Sequence, residues 1–306
     1  MPVGEAVSTG EAVGVLVMAY GTPATPDDVE AYYTHVRRGR APTPELLADL
    51  QRRYAAIGGT SPLLEMTRRQ AAGLQAELGD GFRVELGMKH APPFIEDGVS
   101  ALRAVGVKRV VGLVLAPHYS AMSVGEYATR AEGVDVVEHW WDAPGYLDLL
   151  ADAVKRGIDA LPEGSEVVFT AHSLPARILE SGDPYPDQLR ATAEAVAARA
   201  GLAAWSQAWQ SAGRTPDPWL GPDILAVLDD RAAAGTAGVL VCPCGFVSEH
   251  LEILYDLDVE ARARADALGL PFARTAMPND DPAFLRTLAD VVRARLASPG
   301  RSSRAT

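Results

Sequence analysis

The sequence predicts an α/β protein made of two similar doubly wound, Rossmann-like parallel-sheet domains facing a central cleft. Three observations predict it. Short, nearly continuous apolar runs at 13–18 (VGVLVM), 109–116 (RVVGLVLA) and 238–242 (GVLVC) alternate with longer segments of helical period. Such runs suit strands buried on both faces, and strand–helix alternation implies parallel sheets with right-handed crossovers. The pattern also recurs along the chain. VLVMAYGTP in the first half corresponds to VVFTAHSLP in the second, and GLVLAPHYS corresponds to VLVCPCGFVS. Finally, 306 residues at 48% hydrophobic are enough to bury one large or two medium cores.

Taken in order, the first strand (13–18) ends at the turn-like Gly21-Thr22-Pro23. Helical patterns cover 26–36 and 44–57, and a further helix starts at Ser61 after Gly58-Gly59. A strand at 82–88, a helix at 95–104 and a strand at 109–116 follow, the last running into Pro117-His118-Tyr119-Ser120. A weaker strand lies at 134–138. The order then restarts with a helix at 146–161 and a strand at 166–170 ending in Ala171-His172-Ser173-Leu174-Pro175. An Ala-rich helix (188–200), a strand (204–210), a helix (222–234) and a strand (238–242) lead into an acidic stretch, and an amphipathic helix closes the pattern at 282–296. The tail from Ser298 is polar and expected to fray. These patterns divide the chain into an N-terminal α/β domain at 13–145, a C-terminal α/β domain at 146–280, and a final helix at 281–297 packing back across both. Ligands of such sheets bind beyond the carboxyl ends of the strands. Both sets of loops should therefore line one cleft, with Tyr20 and His172 at matching positions.

A formal net charge of −12 argues against non-specific binding to nucleic acid or anionic lipid. No apolar run approaches the ~20 residues of a membrane span. The opening MPVGEAVSTGEAVG has two Glu and no Lys or Arg, unlike a signal peptide. A cytoplasmic protein without stable membrane insertion is expected. Cys242 and Cys244 are one residue apart, so a disulfide between them would be strained, and two thiols cannot complete a four-Cys cluster. Buried, reduced thiols are expected.

The acidic stretch at 245–260, GFVSEHLEILYDLDVE, draws most attention. Read as a helix, it sets Glu252, Asp256 and Glu260 four residues apart along one face. Such a row is either a solvated acidic face or a track for a divalent cation, since hard cations favour carboxylate oxygens. The six histidines show no HExxH spacing. His139, beside Trp140-Trp141, reads as a packing residue and His35 as a solvated helix-end residue. His172 differs because it directly follows a buried strand, where a histidine serves either structure or a site. The segment 35–54 carries Arg37, Arg38, Arg40, Arg52 and Arg53 against Glu45 and Asp49, a local excess of three positive charges. It is either a solvated face or an anion site whose Arg forks bind carboxylates. No Walker motif or GxGxxG occurs, so an organic polycarboxylate suits it better than a nucleotide phosphate. The loop at 209–222 (WQSAGRTPDPWLGP) is either a rigid connection or an apolar wall for a planar ligand.

Several long motifs, in order, resemble ferrochelatase: MAYGTP at 18–23, YYTHVRRGR at 32–40, RRYAAIGGTSPL at 52–63, GMKHAPPFIED at 87–97, PHYSAMSVGEY at 117–127, TAHSLP at 170–175, WQSAGRTPDPWLGP at 209–222 and GFVSEHLEILYD at 245–256. The resemblance runs from about 13 to 296, and AYGTP with the SAGRTPDPWLGP loop is most like the coproporphyrin III enzymes of Gram-positive bacteria. It implies a chelatase fold and insertion of ferrous iron, as substrate, into coproporphyrin III to give Fe-coproporphyrin III (coprohaem) in haem biosynthesis. His172 and Glu252 match the pair that binds iron and handles the pyrrole protons, and Asp256 and Glu260 continue the metal-binding row. Arg37 with Glu260 resembles an outer site, which leaves room for a regulatory divalent cation. Tyr20 matches the tyrosine that ligates iron in the coprohaem product. Arg37, Arg53, Ser61, Tyr127 and Ser211 match porphyrin-contacting positions, and Lys89 and His90 match residues near the cleft. Transient contact with neighbouring enzymes of the haem pathway is also implied. Some actinobacterial relatives carry a [2Fe–2S] cluster on four cysteines; with Cys242 and Cys244 alone, no cluster is expected here. The alternatives are a chelatase for protoporphyrin IX, sirohydrochlorin or cobalt, and a non-catalytic tetrapyrrole carrier using Tyr20.

Overall fold

The computed structural model describes residues 12–298, so the opening residues and the tail beyond Ser298 lie outside it. Two four-stranded parallel sheets form the frame. Strands β1 (Val13–Ala19), β2 (Phe82–Met88), β3 (Val110–Val114) and β4 (Asp135–Val137) make the first, in the order β2-β1-β3-β4. Strands β5 (Glu166–His172), β6 (Trp205–Gln210), β7 (Val239–Cys242) and β8 (Phe272–Arg274) make the second, in the order β6-β5-β7-β8. The two orders are the same, as the repeated motifs predict. In each sheet the chain reverses its direction of travel beside the first strand formed, which creates the crevice where doubly wound sheets hold ligands.

Among the described residues, α-helices connect or flank the strands: α1 (Val29–Val36), α2 (Pro44–Ala56), α3 (Leu63–Leu78), α4 (Ile95–Ala104), α5 (Val124–Arg130), α6 (Pro144–Ile158), α7 (Tyr185–Ala200), α8 (Ile224–Ala233), α9 (Leu251–Leu254), α10 (Arg262–Leu268) and α11 (Pro282–Ala297). Their starts follow local chemistry. Asp281 accepts a hydrogen bond from Ala283 N at 2.7 Å ahead of Pro282, and Asp223 accepts one from Leu225 N at 2.9 Å. Each satisfies one orphan N–H of the first turn. The largest buried cluster joins Val15, Val17 and Leu113 of one sheet to Val167, Phe169 and Leu240 of the other. Phe284, Leu288 and Val292 of α11 belong to the same cluster.

The acidic stretch is not the single helix its spacing suggests. Residues 245–250 form a loop whose Gly245 N–H donates to Thr170 O at 3.0 Å. One turn of α9 follows, and then a π-helical segment at Asp256–Ala261, in which Glu260 N donates to Tyr255 O at 2.9 Å. A π-turn inserts an extra residue into the helix and re-aims the side chains beyond it. Consequently Glu252 is half-buried, Asp256 is buried and Glu260 is exposed. The row runs from interior to surface instead of lying along one solvated face.

His139 also differs from expectation. It is exposed, with Nδ1 3.9 Å from Asp142 Oδ1, while Trp140 beside it is the buried packing residue.

Candidate active site

The carboxyl ends of both sheets open on a cavity of about 570 Å³, within the size range of small-molecule and cofactor sites. Tyr20 projects into it just beyond β1, Lys89 and His90 just beyond β2, and His172 from the last residue of β5. Glu252 lines it from the start of α9. Trp219 of the Pro- and Gly-rich loop contributes an aromatic wall, with Gly213 packed flat against its ring.

His172 and Glu252 meet on this wall, Nε2 to Oε1 at 3.4 Å. The Nδ1 side of His172 faces its neighbour's carbonyl, Ser173 O, to which Nδ1–H donates. That bond leaves Nε2 as the nitrogen that is basic when the ring is neutral. A bare Nε2 lone pair and a carboxylate oxygen repel each other, so the edge between them calls for a cation, whether a proton or a metal. Two donors each about 2.1 Å from one ion at a tetrahedral angle stand about 3.4 Å apart. Burial disfavours the imidazolium, but the Glu252 carboxylate outweighs it and raises the His172 pKa above its usual 6.5. Burial works in the opposite sense to the two histidines on Glu252, and the histidines hold its pKa well below the usual range.

His250, which drew no notice in the sequence, approaches the other oxygen of Glu252, Nε2 to Oε2 at 3.5 Å. The carboxylate is thus held between two imidazoles. Its backbone is anchored as well: Thr170 donates to Gln210 Oε1 at 2.9 Å, and Gln210 Nε2 donates to Glu252 O at 3.0 Å. These buried bonds tie the start of α9 to β5 and β6, which fixes Glu252 against His172.

Asp256 lies one turn further on. Ser211, whose backbone holds the left-handed φ of 61°, donates to its Oδ2, and Arg53 Nη1 stands 3.5 Å from Oδ1. Burial pushes the Asp256 carboxyl up, with Glu252 and Glu260 adding to it against Ser211 and Arg53, and the result is a pKa of about 7. Asp49 holds Arg53 in turn, Nε to Oδ2 at 3.1 Å, and pairs with Arg214 at 2.7 Å. Arg53 therefore serves Asp256 directly and does not line the cavity.

The remaining candidates are distributed as follows. Tyr127 and Ser61 line the cavity and are buried. Tyr20 is 42% exposed, its ring 4.6 Å from that of His90; burial of its hydroxyl, with Glu252 nearby, raises its pKa far above the usual 10. His35 and His90 approach through their Nδ1 atoms at 3.0 Å, and burial beside Lys89 lowers the His90 pKa to about 3. Arg37 lies outside the cavity lining, its guanidinium bonded to Arg40 O and 5.7 Å from the Tyr33 ring centre. Arg38 and Glu126 line the cavity, although the sequence marked the first only as part of a cluster and the second not at all. Cys242 and Cys244 are fully buried and unpaired, and burial pushes the Cys242 thiol up to about 12. Among the described residues no three His, Cys, Asp or Glu side chains gather as a metal cage. Among the described residues no helix is long and apolar enough to cross a membrane.

The Ferrochelatase family model matches residues 12–296. The chain is 43% identical over 306 residues to the coproporphyrin III ferrochelatase of Halalkalibacterium halodurans, covering 94% of this chain and 99% of that one. It is 44% identical over 303 residues to that of Bacillus subtilis, covering 93% and 98%. Among solved structures, SirB from Bacillus subtilis with Fe3+ aligns over 94% of this chain and 98% of its own, with a TM-score of 0.55 at 12% identity. A multi-domain protein of Deinococcus radiodurans, described as similar in structure to chelatases, aligns over 96% and 56% with a TM-score of 0.51 at 16% identity. The two structural likenesses speak for the fold, and the sequence matches speak for descent: the chain belongs to the ferrochelatase family.

Proposed function

We propose that this protein inserts ferrous iron into coproporphyrin III to give Fe-coproporphyrin III, with His172 and Glu252 as the reacting pair. The observation that carries the proposal is the 3.4 Å edge between His172 Nε2 and Glu252 Oε1 on the wall of a cavity open to both sheets. A planar macrocycle lying in that cavity would offer its central nitrogens to the edge, and the pair would do two jobs in turn. With His172 deprotonated, the two donors hold iron(II) while it sheds water. As iron passes to the ring, His172 Nε2 accepts one pyrrole proton and Glu252 helps to carry the second.

Asp256 and Glu260 extend the site outward. A carboxylate row reaching from the cavity to the surface lets a cation exchange its waters in steps, avoiding one large desolvation. Asp256 titrates near neutrality at about 7, so it is also suited to pass a proton from Glu252 towards solvent. The exposed Glu260 end is where a regulatory divalent cation would rest. Tyr20 would stand over the product iron from the opposite strand, and Ser61, Tyr127 and Ser211 would border the ring and its carboxylate arms. The two halves of the chain, 13–145 and 146–280, would act as the jaws of this cleft.

The test is an anaerobic assay of iron(II) with coproporphyrin III, protoporphyrin IX and sirohydrochlorin in parallel. Turnover of coproporphyrin III above the others is expected. Failure to metallate any of the three, with the macrocycles bound, would leave a tetrapyrrole carrier.

A further inference from the structure

A second charged centre lies on the cavity wall away from His172. Glu126 of α5 divides its carboxylate between two cations: Lys89 Nζ is 2.6 Å from Oε2, and Arg38 Nη2 is 3.0 Å from Oε1. Lys89 is buried, with its ammonium 5.1 Å from the ring centre of Tyr127 and 5.8 Å from that of Tyr20. Arg38, itself largely exposed, reaches the same carboxylate from a backbone in the left-handed region, with φ at 57°, which is uncommon for a residue other than glycine. Lys89, Arg38 and Glu126 all line the cavity, and among the described lining residues Lys89 is the Lys and Arg38 the Arg.

Taken with the coproporphyrin reading above, on which this step rests, the arrangement is paradoxical. A tetra-anionic ring enters a cavity whose lining Lys and Arg, the buried Lys89 and the largely exposed Arg38, are already paired with the protein's own carboxylate. We propose that Glu126 is a specificity-determining residue that stands in for a substrate carboxylate. In the empty cavity it neutralises Lys89 and Arg38; when the ring arrives, a propionate arm takes its place on at least one of them. A buried ammonium stripped of its partner is costly, so Lys89 needs a carboxylate at every stage. Exchange between an internal and an external carboxylate meets that need. The same competition weakens binding of the acidic ring and shortens the stay of the acidic product, because Glu126 is always at hand to reclaim the cations. Glu126 touches no reacting atom, and its effect is on binding and release.

The experiment measures coproporphyrin III binding by fluorescence, together with KM and kcat for iron(II) insertion, in wild type, Glu126→Gln and Glu126→Asp. Glu126→Gln should bind coproporphyrin III about fivefold tighter at low salt, the gain shrinking at high salt. Its KM should fall while kcat also falls, because product leaves more slowly. The tetramethyl ester, which has no carboxylate, should gain nothing. Glu126→Asp is too short to bridge both cations and should move in the same direction by less. Unchanged or weaker coproporphyrin affinity in a folded variant overturns the inference, as does misfolding of both, which would make Glu126 a structural counter-ion. A wild-type protein that does not bind coproporphyrin III at all overturns the substrate reading and this inference with it. A fully active wild type with an indifferent Glu126→Gln overturns this inference alone.

Discussion

Tyr20 leaves the central strand of one sheet where His172 ends the central strand of the other, and both side chains line the same cavity. One is a phenol held protonated by burial and by Glu252, the other an imidazole whose pKa Glu252 raises. Equivalent positions in two similar halves thus carry different groups: a phenol on one side and an imidazole on the other. The asymmetry depends on Glu252, which comes from the second half alone.

Replacing His172 by Ala, or Glu252 by Ala, should lower iron insertion at least about 100-fold, the scale of a lost acid–base group. Coproporphyrin III binding, followed by fluorescence, should stay within a few-fold of wild type. A variant that metallates at the wild-type rate would remove its residue from the reacting pair.

The proton on His172 can be followed by NMR in protein labelled at histidine. In metal-free wild type it should titrate above 6.5, because Glu252 outweighs burial. In Glu252→Gln burial acts without that opposition, and the titration should drop below 6.5. An unmoved midpoint would show that Glu252 is not the source of the shift.

The same pair links stability to pH. Folded His172 binds its proton more tightly than an unfolded histidine, so its contribution is full below about pH 6.5 and is lost as pH rises through the raised value. Folded Glu252 has a lowered pKa, so its contribution is present above 4.5 and lost on acidification. The thermal midpoints of wild type and Glu252→Gln should therefore differ most between about pH 5 and pH 7 and converge on the alkaline side. A gap that does not vary with pH would contradict this linkage.

Ser211→Ala and Arg53→Met each remove a group that lowers the Asp256 pKa, so it should rise further above about 7. If Asp256 carries protons or iron as a carboxylate, activity at neutral pH should fall and recover partly as pH is raised. Equal losses at every pH would reduce both residues to structural roles.

Gly245 offers a test of position. A Cβ there would strike Ala171, with the backbone Cα only 2.8 Å away, immediately before His172. Backbone cannot yield as a flexible side chain can. Gly245→Ala should therefore cost about 1–3 kcal/mol in urea unfolding and shift the His172 titration. A variant with unchanged stability and titration would mean that the loop moves freely.

The strands, their alternation with helices and the pairing of Tyr20 with His172 were legible because each is a local pattern: an apolar run, its end, and the residue that follows. The family's motifs were legible for the same reason. The π-turn was not, since four-residue spacing cannot reveal a helix widened by one residue, and that turn decides that Asp256 is buried while Glu260 meets solvent. Arg53 illustrates a further limit. The sequence placed it in a basic cluster that is either a solvated face or an anion site, and the fold brings its guanidinium to Asp49 and to Asp256, 203 residues away. Arg38, Lys89 and Glu126 come from three separate segments and mean nothing apart. By itself the sequence determined which residues stand at the strand ends, because periodicity and chain direction are local. Only the tertiary structure decided which charges meet there, because packing alone brings distant segments within reach of one another.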